Sequence, residues 1–123
     1  MARIQHIAIV VKNAEEMAAF YKSAFGLREV ARQRNDETGD QHAIYLSDGY
    51  INLALLPIDR PLGVDHFGFA VDDVEAGLDA AVAAGAIPPE RELPRDGRMA
   101  ETFVRDPQLG VKLDISRGWL TEA

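Results

Sequence analysis

The stretch VDHFGFAV (residues 64–71) places one histidine and one glycine inside an otherwise apolar run. Side chains alternate between the two faces of a β-strand, so His66 and Gly68 share one face while Phe67 and Phe69 share the other. A single histidine in a strand is more often a hydrogen-bonded core residue than a ligand. The other strands of the chain decide between these two interpretations of His66.

The same pattern occurs near the start of the chain. RIQHIAIVV (3–11) is a β-branched run that contains His6, and His6 precedes His66 by 60 residues. The chain is therefore predicted to contain two copies of one unit, each of which opens with a strand that carries a histidine.

A predicted helix follows each of these strands. AEEMAAFYKSAFG (14–26) and DDVEAGLDAAVAAG (72–85) have apolar residues at helical spacing and end in glycine. Asn13 is the predicted N-cap of the first helix, because Glu16 lies three residues later in the capping-box position. The predicted buried faces consist of Met17, Phe20, Tyr21 and Ala24 in the first helix, and of Val74, Leu78, Ala81 and Val82 in the second.

Further strand candidates complete each copy. Three follow the first helix, at 27–33, 41–47 and 50–56, and two follow the second helix, at 99–107 and 110–116, after a Pro-rich link at 87–98. The order of strand, helix and further strands thus occurs twice. We expect a single domain made of two repeated modules, at 1–58 and 62–123.

Composition limits the kinds of partner. The chain has 123 residues, with 13 Lys and Arg against 20 Asp and Glu, and its formal charge of -7 repels nucleic acids and anionic membrane surfaces. No apolar stretch reaches the length of a membrane span, and the start lacks a signal-peptide core, so a cytoplasmic location is expected. The chain has no cysteine, which excludes disulfides and thiolate ligands. Any metal must be held by histidine, carboxylate or amide groups.

The chain resembles the vicinal oxygen chelate superfamily, which includes glyoxalase I, methylmalonyl-CoA epimerase, extradiol dioxygenases, and the bleomycin and fosfomycin resistance proteins. The resemblance extends from IQHIAIVV (4–11) through AAFYKSAFGLREV (18–30) and DHFGFAVDDVEA (65–76) to FVRDPQLGVKLDI (103–115). It implies an α+β fold in which two βαβββ modules form curled mixed sheets that enclose a cavity, the glyoxalase/bleomycin resistance/dioxygenase fold. It also implies a central divalent metal, with ligands from the first and last strands of each module.

Strand alternation predicts which side chains face that cavity. In both histidine strands the larger apolar residues take the helix face, and small residues lie beside each histidine on the other face. Small residues leave room for a ligand or a metal-bound substrate, which accounts for the glycine after His66. The predicted inward-facing set consists of His6, Ala8, Val10, Asn52, Ala54, His66, Gly68, Ala70 and Asp114.

Two histidines and one carboxylate, His6, His66 and Asp114, form a set that suits iron(II) or a similar divalent ion with open positions. Mn²⁺, Ni²⁺, Zn²⁺ and Co²⁺ are alternatives. Asn52 and Asp114 are 62 residues apart and are predicted to hold equivalent places in the two copies. Asn52 is an amide where glyoxalase I has a glutamate, so it offers a neutral fourth ligand and cannot act as a base. Asp114 and Asn52 are the candidate catalytic residues.

Several other residues are candidates for substrate contact. Tyr45 and Phe103 hold equivalent third-strand places, where they form either walls of the substrate pocket or ordinary packing. Trp119 is predicted to cover the cavity or to form a subunit contact. Three arginines in the Pro-rich link either close over an anionic substrate or belong to a solvated loop. These are Arg91, Arg95 and Arg98.

Three classes of function fit the residues. The first is a metal-dependent enzyme on a small oxygen-bearing substrate; the amide at position 52 favours oxygen-dependent cleavage over a glyoxalase-like lyase or an epimerase. The second is a metal-free protein of the resistance type that binds a small molecule without reaction. The third is a structural module. We also expect a homodimer, because small two-module members of the superfamily usually pair.

Overall fold

The structure is a computed structural model that describes residues 2–89 and 102–122. In these ranges the chain forms seven strands and two helices, which confirms the α+β prediction. Their order is β1 (Arg3–Val10), α1 (Ala14–Phe25), β2 (Arg28–Gln33), β3 (Ala43–Ser47), β4 (Asn52–Leu56), β5 (Gly63–Ala70), α2 (Val74–Ala83), β6 (Phe103–Arg105) and β7 (Lys112–Ser116). The chain divides into two compact units: a first unit of residues 6–65 and 120–123, and a second unit of residues 1–5 and 66–119.

The first unit packs α1 on a sheet with the strand order β2-β3-β4-β1. β1 and β4 are parallel, with His6 opposite Asn52 and Ala8 opposite Ala54, while β3 is antiparallel to both of its neighbours. A parallel pair needs a long crossover connection, which α1, β2 and β3 supply here. The core beneath the helix is made of Val11, Ala14, Ala18, Ile44, Leu46 and Leu55.

The second unit packs α2 on the strand order β5-β7-β6. β5 and β7 are parallel, with His66 opposite Lys112 and Gly68 opposite Asp114. Within residues 2–89 and 102–122, the place that β2 takes in the first unit is marked by one bridge, between Ile87 and Arg105. Arg91, Arg95 and Arg98 of the Pro-rich link lie outside the described residues.

The cap at Asn13 confirms the predicted start of α1, and Asp73 caps α2 in the same way. The side chain of Asn13 accepts a hydrogen bond from the backbone N–H of Glu16 at 2.9 Å, and Asp73 accepts one from Ala76 at 3.1 Å. Gly26 ends α1 with φ 70°, a left-handed conformation that favours glycine. Neither helix in the described part of the chain is long and apolar enough to cross a membrane.

The predicted helix faces were partly wrong. Phe20 is 53% exposed and Val82 is 44% exposed, and Ala24 also faces solvent. The buried stripe of α1 instead runs through two small residues, Ala14 and Ala18, which let the helix approach the sheet closely. Larger side chains on either side of that stripe are directed outward or lie at its edge.

The repeat predicted from the sequence is visible in the burial of the strands. β1 and β5 show the same succession of exposed, half-buried and buried residues along their eight positions. His6 and His66 occupy the same place in this succession, and so do Ala8 and Gly68. All four are buried on the strand face that turns away from the helix, as alternation predicted.

Candidate metal centre

His6 and Asn52 meet in the first unit. They are register partners on the parallel strands β1 and β4, and they are 4% and 2% exposed. Nδ1 of His6 lies 2.8 Å from Oδ1 of Asn52, and Nδ2 of Asn52 donates to the backbone oxygen of Leu120 at 2.8 Å. Both ends of the Asn52 amide are therefore engaged by the protein.

His66 and Asp114 meet in the second unit. Nε2 of His66 lies 3.4 Å from Oδ2 of Asp114, and both side chains are almost completely buried. The other carboxylate oxygen, Oδ1, lies 3.5 Å from Nζ of Lys112. The Asp114 carboxyl group thus lies between the imidazole ring of His66 and the ammonium group of Lys112.

The spacing of His66 and Asp114 fits two ligands of one ion. Ligand atoms that are each about 2.1 Å from an ion lie roughly 3.0 Å apart at a right angle and roughly 3.4 Å apart at the tetrahedral angle. The Nε2 to Oδ2 distance of 3.4 Å falls at the upper end of this range. It is also long for a direct hydrogen bond. Imidazole and carboxylate together suit Fe, Mn, Zn and similar ions.

Asn52 and Asp114 lie on the same strand face in their two units, as predicted. Their register positions, however, differ by two residues. Asn52 lies opposite the first-unit histidine, whereas Asp114 lies opposite Gly68. The register place of Asp114 in the first unit belongs to Ala54, and the place of Asn52 in the second unit belongs to Lys112. A two-residue shift preserves the face because side chains alternate with period two.

Lys112 lies beside the candidate site and was not among the residues predicted from the sequence. Its side chain is 17% exposed, and Nζ lies 4.8 Å from the ring centroid of Phe103. Alternation along KLDIS (112–116) places Lys112 on the same face as Asp114, so the sequence pattern was sufficient to predict its position. The aliphatic part of the Lys112 side chain is buried, and its ammonium group contacts a carboxylate and an aromatic ring. These contacts hold the positive charge in place.

The predicted pocket residues occupy matching places in the two units. Tyr45 lies opposite Ala54 in the first unit, and Phe103 lies opposite Asp114 in the second. Phe103 is 8% exposed. Tyr45 is half-buried, and burial raises the pKa of its hydroxyl, an effect that the hydrogen bond from Gln33 opposes. Both aromatic rings therefore adjoin the small or charged residues of the face that turns away from the helices.

An aspartate fixes the turn that leads into each of the strands β4 and β7. Asp48 accepts backbone N–H groups of Tyr50 and Ile51 at 2.9 and 2.8 Å, just before Asn52. Asp106 accepts the N–H groups of Gln108, Leu109 and Val111 at 2.9, 2.6 and 2.8 Å. These bonds hold the pKa of both carboxyl groups below the ordinary value. The turns thus position Asn52 and Asp114 through local hydrogen bonds.

Trp119 is 8% exposed, and its backbone N–H donates to Oε1 of Gln5 at 2.9 Å. The single chain already buries the ring, so Trp119 does not present a large exposed surface for a subunit contact. The burial of Trp119 therefore does not support the predicted subunit contact at this residue.

The chain belongs to the glyoxalase/bleomycin resistance protein/dioxygenase superfamily, whose family model matches residues 3–115. This match covers most of the chain and confirms the resemblance to the vicinal oxygen chelate proteins. No curated protein matches the chain by sequence.

Three solved structures illustrate the likeness. A hypothetical protein from Bacillus halodurans C-125 has a TM-score of 0.73 and 18% identity, with 99% of both chains covered. A variant of the Streptomyces coelicolor methylmalonyl-CoA epimerase, in complex with 2-nitronate-propionyl-CoA, has a TM-score of 0.68 and 26% identity, with 98% of this chain and 97% of that chain covered. A mutant of 4-hydroxymandelate synthase from Streptomyces coelicolor has a TM-score of 0.70 and 18% identity, with 95% of this chain and 37% of that chain covered.

Proposed function

We propose that the chain is a divalent-metal-dependent enzyme that acts on a small oxygen-bearing substrate. Its metal ligands are His6, His66 and Asp114, and iron(II) is the favoured ion. All three residues are buried, and each offers one nitrogen or oxygen ligand atom. Two histidines and one carboxylate are the donor set of non-haem iron(II) oxygenases.

The observation that carries the preference for an oxygen-dependent reaction is the engagement of Asn52. Its amide oxygen lies 2.8 Å from the ring of His6, and its amide nitrogen is bonded to the backbone of Leu120. An amide in that position supplies neither a fourth ligand nor a base. The proposed site therefore has three protein ligands, and positions beyond these three remain for substrate oxygens and a second reactant.

The ion, when bound, supplies Lewis-acid stabilisation of negative charge on substrate oxygens and, as iron(II), a redox-active centre. The chain's own residues shape the space around the ion and attract the substrate. Ala8 and Gly68 leave space beside the histidines, and Phe103 offers an apolar wall. Lys112 carries a positive charge that attracts an anionic group of the substrate to the same face as Asp114.

An epimerase or a glyoxalase-like lyase is the second candidate. The Streptomyces coelicolor methylmalonyl-CoA epimerase is 26% identical over nearly the whole of both chains. Proton transfer needs a base beside the metal. In this chain Asp114 would have to serve both as ligand and as base, because Asn52 cannot move a proton.

A metal-free protein that binds a small molecule is the third candidate. The contact between Lys112 and Asp114 favours it, because the ammonium group competes with an ion for the carboxylate. The three candidates differ in metal content and in their need for oxygen.

Metal content tests the proposed site. Element analysis of protein purified without chelators and under anaerobic conditions should give about one divalent ion per chain. His66→Ala should bind greatly reduced metal, because it removes one of three ligands. His42→Ala is the matched control, since His42 lies next to β3 and outside the proposed ligand set. Equal metal in wild type and His66→Ala would contradict the proposal.

Oxygen dependence tests the reaction class. The wild type should give negligible conversion of the methylglyoxal–glutathione adduct, because Asn52 cannot carry a proton and Asp114 would have to serve both as ligand and as base. Robust wild-type turnover with nickel or zinc in the absence of oxygen would restore the isomerase interpretation.

A further inference from the structure

We propose that Asn52 is a positioning residue: it holds His6 in the tautomer that carries its proton on Nδ1 and so presents Nε2 to the metal. The assignment of a proton to Nδ1 rests on two contacts inside the first unit. Its consequence for metal affinity rests on the proposed metal site.

The Leu120 carbonyl fixes the direction of the Asn52 amide. A backbone carbonyl oxygen only accepts hydrogen bonds, so the Asn52 atom 2.8 Å from it must be the NH₂ group. The reversed amide would place two acceptor oxygens at that distance. Leu120 is itself 60% exposed, so its contribution here comes from the backbone and not from its side chain.

The direction of the amide then decides the protonation of His6. With NH₂ directed at Leu120, the oxygen of Asn52 faces Nδ1 of His6 at 2.8 Å. An amide oxygen cannot donate, so Nδ1 must carry the proton in this bond. A neutral imidazole has one N–H, which leaves the lone pair on Nε2. The ligating nitrogen is thereby chosen before any metal arrives.

This role differs from that of a direct ligand. Groups that accept the second N–H of a metal-binding histidine fix its tautomer and ring orientation, and their loss typically weakens metal binding about 10- to 100-fold. In the second unit, the register place that Asn52 takes in the first belongs to Lys112, a donor. The contact between a histidine and an amide at this register place is thus a feature of His6.

The test begins with metal-free wild-type protein labelled with ¹⁵N, at about pH 8, where an ordinary histidine is neutral. Two-bond ¹⁵N–¹H correlation spectra distinguish a protonated ring nitrogen from one with a lone pair. His6 should show a protonated Nδ1 and an unprotonated Nε2, and His42 serves as the internal reference. An Nε2–H tautomer of His6 in the wild type would overturn the proposal, whether or not any metal binds.

Two variants separate positioning from packing. Asn52→Leu has a similar volume without an acceptor, and it should lose the fixed tautomer and bind Mn²⁺ or Fe²⁺ about 10- to 100-fold more weakly. Asn52→Asp keeps the acceptor for Nδ1 of His6, although it loses the donor to Leu120, and should retain the Nδ1–H tautomer. Unchanged tautomer and affinity in Asn52→Leu would overturn the proposal. If Asn52→Leu does not fold, Asn52→Asp and the wild-type spectrum still decide. A wild type that binds no metal but shows the Nδ1–H tautomer contradicts the proposed function and supports this inference.

Discussion

Asn52 and Lys112 take the same register place in the two units, and they give the two histidines different neighbours. The first-unit histidine faces an amide oxygen, whereas the strand beside His66 carries an ammonium group. Asp114, two residues beyond Lys112, has its register counterpart in Ala54. The proposed site therefore contains one carboxylate, that of Asp114, whereas a symmetric repeat would contain two.

Lys112 should weaken metal binding, because its positive charge lies 3.5 Å from Oδ1 of Asp114. Lys112→Met keeps the length of the side chain and removes this charge. We expect the affinity for a divalent ion to rise by at least about tenfold, since like charges repel strongly at this distance in a buried site. Isothermal titration with Mn²⁺ measures the change.

Lys112→Arg retains the charge and is the matched control, with an expected affinity close to that of the wild type. Unchanged or weaker binding in Lys112→Met would show that the ammonium group does not compete with the ion.

At the scale of elements, the turn before β7 should confer a pH-dependent stability. The folded-state pKa of Asp106 is lowered chiefly by the Leu109 N–H. The unfolded chain therefore binds more protons as the pH falls below about 4, and the stabilisation, fully present above that pH, is lost as the pH falls through the folded pKa. Asp106→Asn should be less stable than wild type at pH 7, and the difference should be smaller at about pH 2.

Chemical denaturation at both pH values measures this difference. Asp48→Asn should behave in the same way, because Asp48 holds the turn before β4 by the same kind of bond. A stability difference of equal size at both pH values would show that the charge of the aspartate is not involved.

Much of the element structure could be predicted from the sequence because it depends on local chemistry. The N-cap at Asn13 and the alternation that buries Asp114 between Leu113 and Ile115 are both local patterns, and both are confirmed. The register was not predictable in the same way. The number of residues that separate a histidine from the partner strand depends on the lengths of the intervening loops. This number does not determine which residues of the two strands lie opposite each other.

The helix faces show a second limit of sequence patterns. The helical spacing of apolar residues placed Phe20 on the predicted face, but α1 packs on the sheet through Ala14 and Ala18. Close packing of a helix depends on the shape of the opposing surface as well as on the polarity of each residue. The apolar periodicity therefore predicted the helix correctly but assigned part of its buried face incorrectly.

At the scale of the whole molecule, superfamily membership is shown while the oligomeric state remains a prediction. We expect a homodimer, because small two-module members of this superfamily usually pair. Exposed apolar side chains such as Phe20, Phe25 and Leu109 are available for such a contact. Sedimentation at micromolar concentration should give twice the mass of 13.5 kDa. A single species of monomer mass would contradict the prediction.

The central claim is that one divalent ion is bound by His6, His66 and Asp114. The most direct measurement is an anomalous difference map from crystals grown anaerobically with iron(II), recorded at the iron absorption edge. We expect one peak per chain, about 2.0 to 2.3 Å from one ring nitrogen of each histidine and from a carboxylate oxygen of Asp114. A peak that lies elsewhere, or crystals that contain iron(II) in solution but show no peak at these residues, would contradict it.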